Sequence, residues 1–176
     1  MRATRSDVTQ VAMRAAITAN HVGMDSRSGH RALRRGRVSL PHQIYHLTIP
    51  TRGRVPFFVD FAAACVAASC FERKALLGDA QMLAWVLMPD HAHWLLQLGE
   101  SAGLIATVSR LKSASSRAAN KTLGRNGHLW SSAFHDRALR RDEDVMTVAR
   151  YIIANPIRAG LVERVSDYTF RNAVWL

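Results

Sequence analysis

Two short apolar runs joined by a turn constrain the fold of this chain more than any other feature. The runs occupy residues 81–88 and 91–98, and the Pro89-Asp90 dipeptide between them is typical of turns. A brief apolar run bounded by turn residues is characteristic of a buried strand. The two runs therefore predict a β-hairpin.

The segments around this hairpin predict an α+β fold. They show β-branched and aromatic runs, typical of strands, alternating with apolar residues at helical spacing. The predicted elements are a strand at 44–49, a helix at 57–77, the two hairpin strands, a helix at 104–123, a strand at 133–139 and a last helix from the acidic turn 142–144 to about residue 154. This order matches a ferredoxin-like sandwich, an antiparallel sheet with two helices, plus an extra C-terminal helix that carries Tyr151.

The charge balance makes a polyanion the first partner to consider. The chain has 24 Lys and Arg against 13 Asp and Glu, a net charge of +11. Two cysteines are too few for a disulfide scaffold, and we find neither an export signal nor an apolar run of the ~20 residues that span a membrane. We therefore expect a cytoplasmic protein that does not enter membranes.

Basic residues concentrate in an N-terminal arm. Residues 1–36 are Arg-rich and weakly patterned, so we expect a poorly ordered arm before a domain at 37–176. Arg34, Arg35 and Arg37 belong to an acid-free run. Such a run is either a solvated tail or an arm that grips phosphates, which the Arg fork can bind through two hydrogen bonds.

A second basic stretch lies on the predicted helix 104–123. Its cations are Arg110, Lys112, Arg117 and Lys121, and no acid occurs between residues 110 and 125. A solvated face normally mixes both signs of charge, which favours a face that follows phosphates. Arg52 and Arg54, in the loop after the first strand, are predicted to contact phosphates as well.

His91 and His93 form the first chemistry-bearing pair. Because side chains alternate along a strand, both imidazoles lie on one face. Neutral imidazole is a common metal ligand. The pair is therefore either a metal site, which needs a third ligand, or two ordinary surface or core histidines.

Tyr151 and Asn155 form the second pair. Residues four apart share one face of a helix, although the position before Pro156 is disfavoured in helices and Asn155 therefore falls near the helix end. A tyrosine on a helix is either a packing residue or, when activated, a nucleophile.

Motifs in a fixed order identify a family resemblance. The segments are Tyr45-His46-Leu47-Thr48, residues 88–94, Leu129-Trp130, Phe134-His135-Asp136, Tyr151-Ile152 and residues 155–162. In this order they resemble the IS200-like tyrosine transposases, and within them the REP-associated tyrosine transposases, over roughly residues 37–165.

The resemblance implies roles for individual residues. Family members are single-stranded DNA endonucleases with a His-hydrophobic-His (HUH) motif, which His91, Ala92 and His93 match. His91, His93 and Asn155 would bind Mg2+ or Mn2+, and Tyr151 would be the nucleophile. Asn155 is the first choice for the third ligand; the alternative is that His135 and Asp136 supply it or hydrogen-bond a metal-bound imidazole.

The resemblance also implies an activity. Tyr151 would attack a phosphate in single-stranded or hairpin DNA at REP-like palindromes, giving a 5′-phosphotyrosine and a free 3′-OH for transposition. No nucleotide-binding loop is present in the sequence, and none is needed because the bond energy is retained. The REP-associated branch implies a monomer at the nucleoid that supplies its own tyrosine, and IS200-type enzymes imply a dimer.

Two other functions remain open at this stage. One is a module on the same fold that binds DNA hairpins without cleaving them. The other is a metal-dependent hydrolase that uses water, in which Tyr151 plays no part. Three aromatic residues are either core residues or platforms that stack on unpaired bases: Tyr45, Trp130 and Phe134.

Overall fold

A five-stranded antiparallel sheet organises the part of the chain that this computed structural model describes, which is residues 39–176 with Asp7 and residues 9–11. The elements are β1 (Ile44–Pro50), α1 (Phe61–Ala68), α2 (Lys74–Leu77), β2 (Gln81–Met88), β3 (His91–Gln97), α3 (Leu104–Thr122), β4 (His135–Ala138), α4 (Val145–Ile153), α5 (Asn155–Arg158) and β5 (Arg171–Ala173). Short 3₁₀ turns occupy Arg52–Arg54, Phe57–Val59 and Val165–Asp167.

The strands lie in the order β4-β1-β3-β2-β5, with β3 at the centre. The predicted hairpin is confirmed, since β2 and β3 pair antiparallel with Met88 opposite His91. The α+β class, the antiparallel sheet and the extra C-terminal helix with Tyr151 are confirmed too, and the ferredoxin-like arrangement stays a prediction. Strand β5, which pairs with β2, was not predicted.

The core extends over both faces of the sheet, with Trp94 on one side and the buried Leu95 and Val86 on the histidine side. Ala92 and Trp94 of β3 are fully buried, as is Leu47, which faces Trp94 across β1. The Phe71 ring packs edge-on against Trp94 with the ring centroids 5.0 Å apart. Helices α1 and α3 pack on each other, and α4 packs against β2, β3 and β5.

The predicted continuous helix 57–77 is wrong. Asp60 begins α1 as its N-cap, accepting a hydrogen bond from Ala63 N at 2.7 Å, and the helix ends at Ala68. The chain then turns so that Cys70 and Phe71 are buried before α2 begins. Burial of the Phe71 ring against two tryptophans therefore overrides the helix propensity of the alanine-rich sequence.

The last predicted helix also differs. Asp144 is the N-cap of α4, accepting from the backbone N–H groups of Met146 and Thr147, so the acidic residues precede the helix and do not form its first turn. The helix ends at Ile153, and Asn155 begins the separate helix α5. A proline is favoured in the first turn of a helix, and Pro156 fits there.

The N-terminal arm is described at Asp7 and residues 9–11, which are helical. The Thr9 hydroxyl is buried, donates to Asp167 O at 3.0 Å and accepts from Thr169 N at 2.9 Å. Arg34, Arg35 and Arg37 lie outside the described residues. Among the described helices, none combines the length and apolar character that a membrane span requires.

The connection between β3 and α3 depends on Gly99. A Cβ atom at this position would lie 2.2 Å from Asp79 Cγ. The Asp79 carboxylate is fixed there by hydrogen bonds from Ser101 Oγ, Ser101 N and Glu100 N, and the first of these is the main cause that lowers its pKa to about 2.

We expect Gly99→Ala to lower the free energy of unfolding by about 1–3 kcal/mol, measured by urea denaturation.

A double variant tests this cause of the loss. In an Asp79→Ala background the obstructing side chain is absent, so Gly99→Ala is expected to cost little further stability. An equal cost in both backgrounds would show that the close approach to Asp79 is not what requires glycine.

Candidate active site

His91 and His93 share one face of the central strand β3. Their ring centroids are 4.9 Å apart and the rings are nearly perpendicular. His91 Nδ1 lies 2.6 Å from Asp90 Oδ1, and His93 Nδ1 lies 3.2 Å from Thr48 Oγ1 and 3.3 Å from His46 Nε2. Within the described residues no hydrogen bond reaches the Nε2 atom of either ring, so both outer nitrogens remain for a ligand.

The surroundings hold His93 neutral. Burial lowers its pKa to about 3, helped by the charges of His91, His46, Arg158 and Arg54. Burial and the nearby Arg137 also lower the pKa of His46. Burial raises the pKa of Asp90, but the hydrogen bond from His91 and the charges of His91 and Arg54 keep it below its ordinary value. The neutral His93 imidazole lies beside the His91 imidazole, which the Asp90 carboxylate holds in place. This pair is suited to bind a divalent cation.

The depressed pKa of His93 predicts a loss of stability in acid. The unfolded chain binds a proton near pH 6.5, whereas folded His93 stays neutral until the pH is about 3. Between these values the unfolded state binds more protons, so the free energy of unfolding falls as the pH falls, by at most about 1.4 kcal/mol per pH unit from this residue. Urea denaturation in EDTA from pH 7 to pH 4 measures this slope.

Two variants separate His93 from other histidines. His93→Gln is expected to flatten the slope, while His42→Gln, changed at the exposed position that faces Glu100, is expected to retain it. Equal slopes in wild type and His93→Gln would contradict the assignment.

Tyr151, Asn155 and Arg158 form a second cluster beside the histidine pair. Tyr151 on α4 is 55% exposed, and the Arg158 guanidinium carbon lies 3.7 Å from its ring centroid. Arg158 Nη2 donates to Tyr151 O at 2.9 Å and to Asn155 Oδ1 at 2.8 Å. Because α4 packs against β3 and the Arg158 charge lowers the pKa of His93, the cluster lies within electrostatic reach of that histidine.

The donor set fits a divalent cation. Two imidazole nitrogens come from β3, and Asn155 carries an amide oxygen, a donor suited to Mg2+ or Mn2+, which accepts from Arg158 in this structure. Within the described residues, this site included, no three His, Cys, Asp or Glu side chains are grouped so that they could hold a metal ion, so a third ligand of another type, such as an amide oxygen, would be needed here. His135 lies opposite Thr48 on the histidine side of the sheet, whereas Asp136 lies opposite Leu47 on the Trp94 side, so the strand register separates these two candidates.

Three of the predicted basic residues meet in a groove between α3 and residues 127–132. Arg52, Lys112 and Arg117 line this groove, which has a volume of about 660 Å³. Arg54 instead donates to Asp90 Oδ2 at 3.3 Å, beside His91. Arg110 lies apart, donating to Leu76 O at 3.0 Å, and Lys121 is exposed in the last turn of α3.

The three aromatic candidates for base stacking are core residues. Tyr45, Trp130 and Phe134 are each less than 7% exposed. Trp130 Nε1 donates to Ser115 Oγ at 2.9 Å, which ties the groove wall to α3. Stacking of unpaired bases on these rings is therefore excluded in this conformation, and core packing is confirmed.

Sequence reasoning missed four residues that surround the site: His46, Thr48, Asp90 and Arg158. His46 and Thr48 are two positions apart on β1 and therefore share one face of that strand. Asp90 directly precedes the histidine motif. These signals were visible in the sequence. Arg158 also had a signal, because residues 151, 155 and 158 have the spacing of one helix face.

Comparisons with known proteins identify the family of this chain. A family model described as "Transposase IS200 like" matches residues 39–155. A REP-associated tyrosine transposase of Escherichia coli K12 is 30% identical over 88 residues, covering 49% of this chain and 50% of the relative. A relative from Haemophilus influenzae is 29% identical over 100 residues, covering 51% and 57%. The chain thus spans about half the length of the curated relatives it matches.

A solved structure shares the fold. It is a REP-associated tyrosine transposase bound to a REP hairpin, with a TM-score of 0.59 and 20% identity, and the match covers 84% of this chain and 82% of that chain. At this level of identity the likeness concerns the fold.

Proposed function

The chain belongs to the family of IS200-like transposases, and from this membership we propose that it is a REP-associated tyrosine transposase that cuts and rejoins single-stranded or hairpin DNA at REP-like palindromes. One observation carries the proposal. Each of His91 and His93 is held through Nδ1 with Nε2 left open, and α4 with its exposed Tyr151 packs against the same strand.

His91, His93 and Asn155 are the residues that would hold Mg2+ or Mn2+. Such an ion, when bound, polarises the scissile phosphate and offsets its developing charge. Asp90 orients His91 through the 2.6 Å contact, and Thr48 and His46 orient His93.

Tyr151 carries out the exchange of bonds. Its Oη attacks phosphorus and loses the phenol proton to water, while the bond from phosphorus to the 3′ oxygen breaks and that oxygen takes up a proton. The products are a 5′-phosphotyrosine and a free 3′-OH. Attack by a 3′-OH on the phosphotyrosine reverses the step and joins a new end, so the energy of the phosphodiester bond is retained.

The basic residues supply the path for DNA. Thr51 N and Oγ1 donate to Asp90 O at 2.8 and 2.9 Å, and Arg52 N donates to Leu129 O at 2.8 Å. The loop 51–54 therefore joins the histidine pair, through Arg54, to the groove that Arg52 and Arg117 line. DNA leaving the cut site would enter this groove, with Arg34, Arg35, Arg37, Arg110 and Lys121 as further phosphate contacts.

The remaining assignments follow the same family. We propose that the protein acts in the cytoplasm at the nucleoid. A monomer that supplies its own tyrosine is supported by the packing of α4 on the sheet of its own chain.

Labelled oligonucleotides test the proposal. Hairpins from the genomic surroundings, labelled at the 5′ or 3′ end, are incubated with the protein in Mn2+ or in EDTA and run on denaturing gels. We expect a covalent protein–DNA band on the fragment downstream of the nick, in Mn2+ and not in EDTA. His42→Ala, changed away from the site, is expected to give the same band.

Other results would point elsewhere. Cleavage without a covalent band would indicate a hydrolase that uses water. Binding without cleavage of any flanking repeat would indicate the hairpin-binding module.

A further inference from the structure

Arg158 occupies the oxygen that the proposed metal site needs. Its Nη2 donates at 2.8 Å to Asn155 Oδ1, the third proposed donor. The orientation of the amide is defined, because Asn155 Nδ2 donates to Ile152 O at 2.8 Å and a carbonyl oxygen accepts only from a donor. The Asn155 oxygen therefore faces the guanidinium.

A guanidinium and a divalent cation compete for this oxygen. Both carry positive charge, and two cations on one amide oxygen repel each other strongly in a partly buried site. Asn155 is half-buried, whereas Arg158 is exposed at the end of a short helix, where its side chain can exchange these contacts for others at the surface. The side chain that yields is therefore Arg158.

DNA offers Arg158 a better partner. A phosphate pairs with the planar guanidinium through two charge-assisted hydrogen bonds, which are stronger than bonds to neutral carbonyl oxygens. A phosphate placed for attack by Tyr151 lies next to Arg158, because the guanidinium already covers the Tyr151 ring at 3.7 Å.

We propose that Arg158 is a positioning residue that holds Asn155 Oδ1 until a DNA phosphate draws the guanidinium away, so that the metal site is completed on DNA binding. The inference rests on the proposed function, specifically on Asn155 as a metal ligand. It assigns a coupling between the DNA substrate and the metal cofactor: DNA raises the affinity for metal, and metal raises the affinity for DNA by the same factor.

The test measures the Mn2+ affinity of the full chain by electron paramagnetic resonance, without DNA and with a hairpin whose 3′ bridging oxygen at the nick is replaced by a methylene group. This linkage keeps the negative charge but cannot be cleaved by attack at phosphorus. Arg158→Met is expected to bind Mn2+ more tightly than wild type in the absence of DNA, by at least about fivefold, the lower end of typical coupling between sites. DNA is expected to raise the Mn2+ affinity of wild type and to have much less effect on the variant.

The sign of the change separates this role from a structural one. Arg158 also donates to Tyr151 O, a carbonyl in the last turn of α4, so it helps to close that helix. If that were its whole role, Arg158→Met would loosen Asn155 and weaken Mn2+ binding. Weaker or unchanged binding would overturn the proposal.

A double-mutant cycle removes the general effect of charge. Deleting any nearby cation raises metal affinity somewhat, so the gain from Arg158→Met is measured again in an Asn155→Ala background. We expect the gain to disappear there, and a gain that persists in full would overturn the proposal. Arg158→Lys, which keeps the charge but not the planar fork, is expected to lie between wild type and Arg158→Met.

The same variants distinguish failure of the inference from failure of the proposed function. If Asn155→Ala alone leaves Mn2+ affinity unchanged, the proposed metal ligand is wrong. If Asn155→Ala weakens binding and Arg158→Met does not strengthen it, the ligand stands and the inference fails.

Discussion

Tyr151→Phe is expected to abolish the covalent protein–DNA product and to lower the single-turnover rate of DNA cleavage by at least about a thousandfold. The variant lacks only the attacking oxygen. Its ring retains the stacking surface for Arg158, and because Tyr151 is 55% exposed the fold has little dependence on the hydroxyl. DNA affinity in EDTA, measured by fluorescence anisotropy, is therefore expected to stay within about twofold of wild type.

A second tyrosine provides the matched control. Tyr45 is buried on the face of the sheet opposite the histidine pair, where its hydroxyl accepts a hydrogen bond from Leu40 N at 3.3 Å. Tyr45→Phe is expected to form the covalent product at a nearly normal rate. A covalent product from Tyr151→Phe would place the nucleophile elsewhere, and undiminished cleavage without it would indicate attack by water.

The second large expected effect is the loss of metal binding and of cleavage when the two imidazoles are removed. The double variant His91→Ala/His93→Ala loses both nitrogen donors of the proposed site. We expect Mn2+ affinity to fall by at least about a hundredfold, since loss of residues that merely orient ligands already costs about 10–100-fold. Cleavage is expected to fall below detection, while DNA binding in EDTA persists because the basic groove is unchanged.

Two further variants test how far Mn2+ binding depends on the residue that holds His91 and on a histidine away from the site. Asp90→Asn keeps the shape of the side chain that holds His91 but removes its charge, and is expected to weaken Mn2+ binding by about tenfold or more. His42→Ala is expected to bind Mn2+ like wild type. Full metal-dependent cleavage by the double variant would rule out this histidine pair as the metal site.

The hairpin and the histidine motif were predictable because both depend on local patterns. Pro89-Asp90 marks the turn, and strand alternation places His91 and His93 on one face whatever the rest of the fold. The partners of these rings were not predictable in the same way. Thr48 reaches His93 because β1 pairs with β3 in one particular register, which the sequence of either strand alone does not define.

The predicted helix boundaries were wrong because they too depend on contacts between residues distant in the sequence. The helix in the alanine-rich segment ends at Ala68, which allows the Phe71 ring to be buried against Trp94. Strand β5 has three residues and takes its conformation from pairing with β2. The boundary between α4 and α5 falls at Ala154, directly before the Asn155-Pro156 pair.

The order of these elements along the chain has a consequence during synthesis. Chains leave the ribosome from the N-terminus, and β1, β2, β3 and α3 all precede α4. His91, His93 and the residues of α3 are therefore synthesised before Tyr151 is added. Under the proposed mechanism, a ribosome-bound chain at this stage lacks the nucleophile and cannot become covalently joined to DNA.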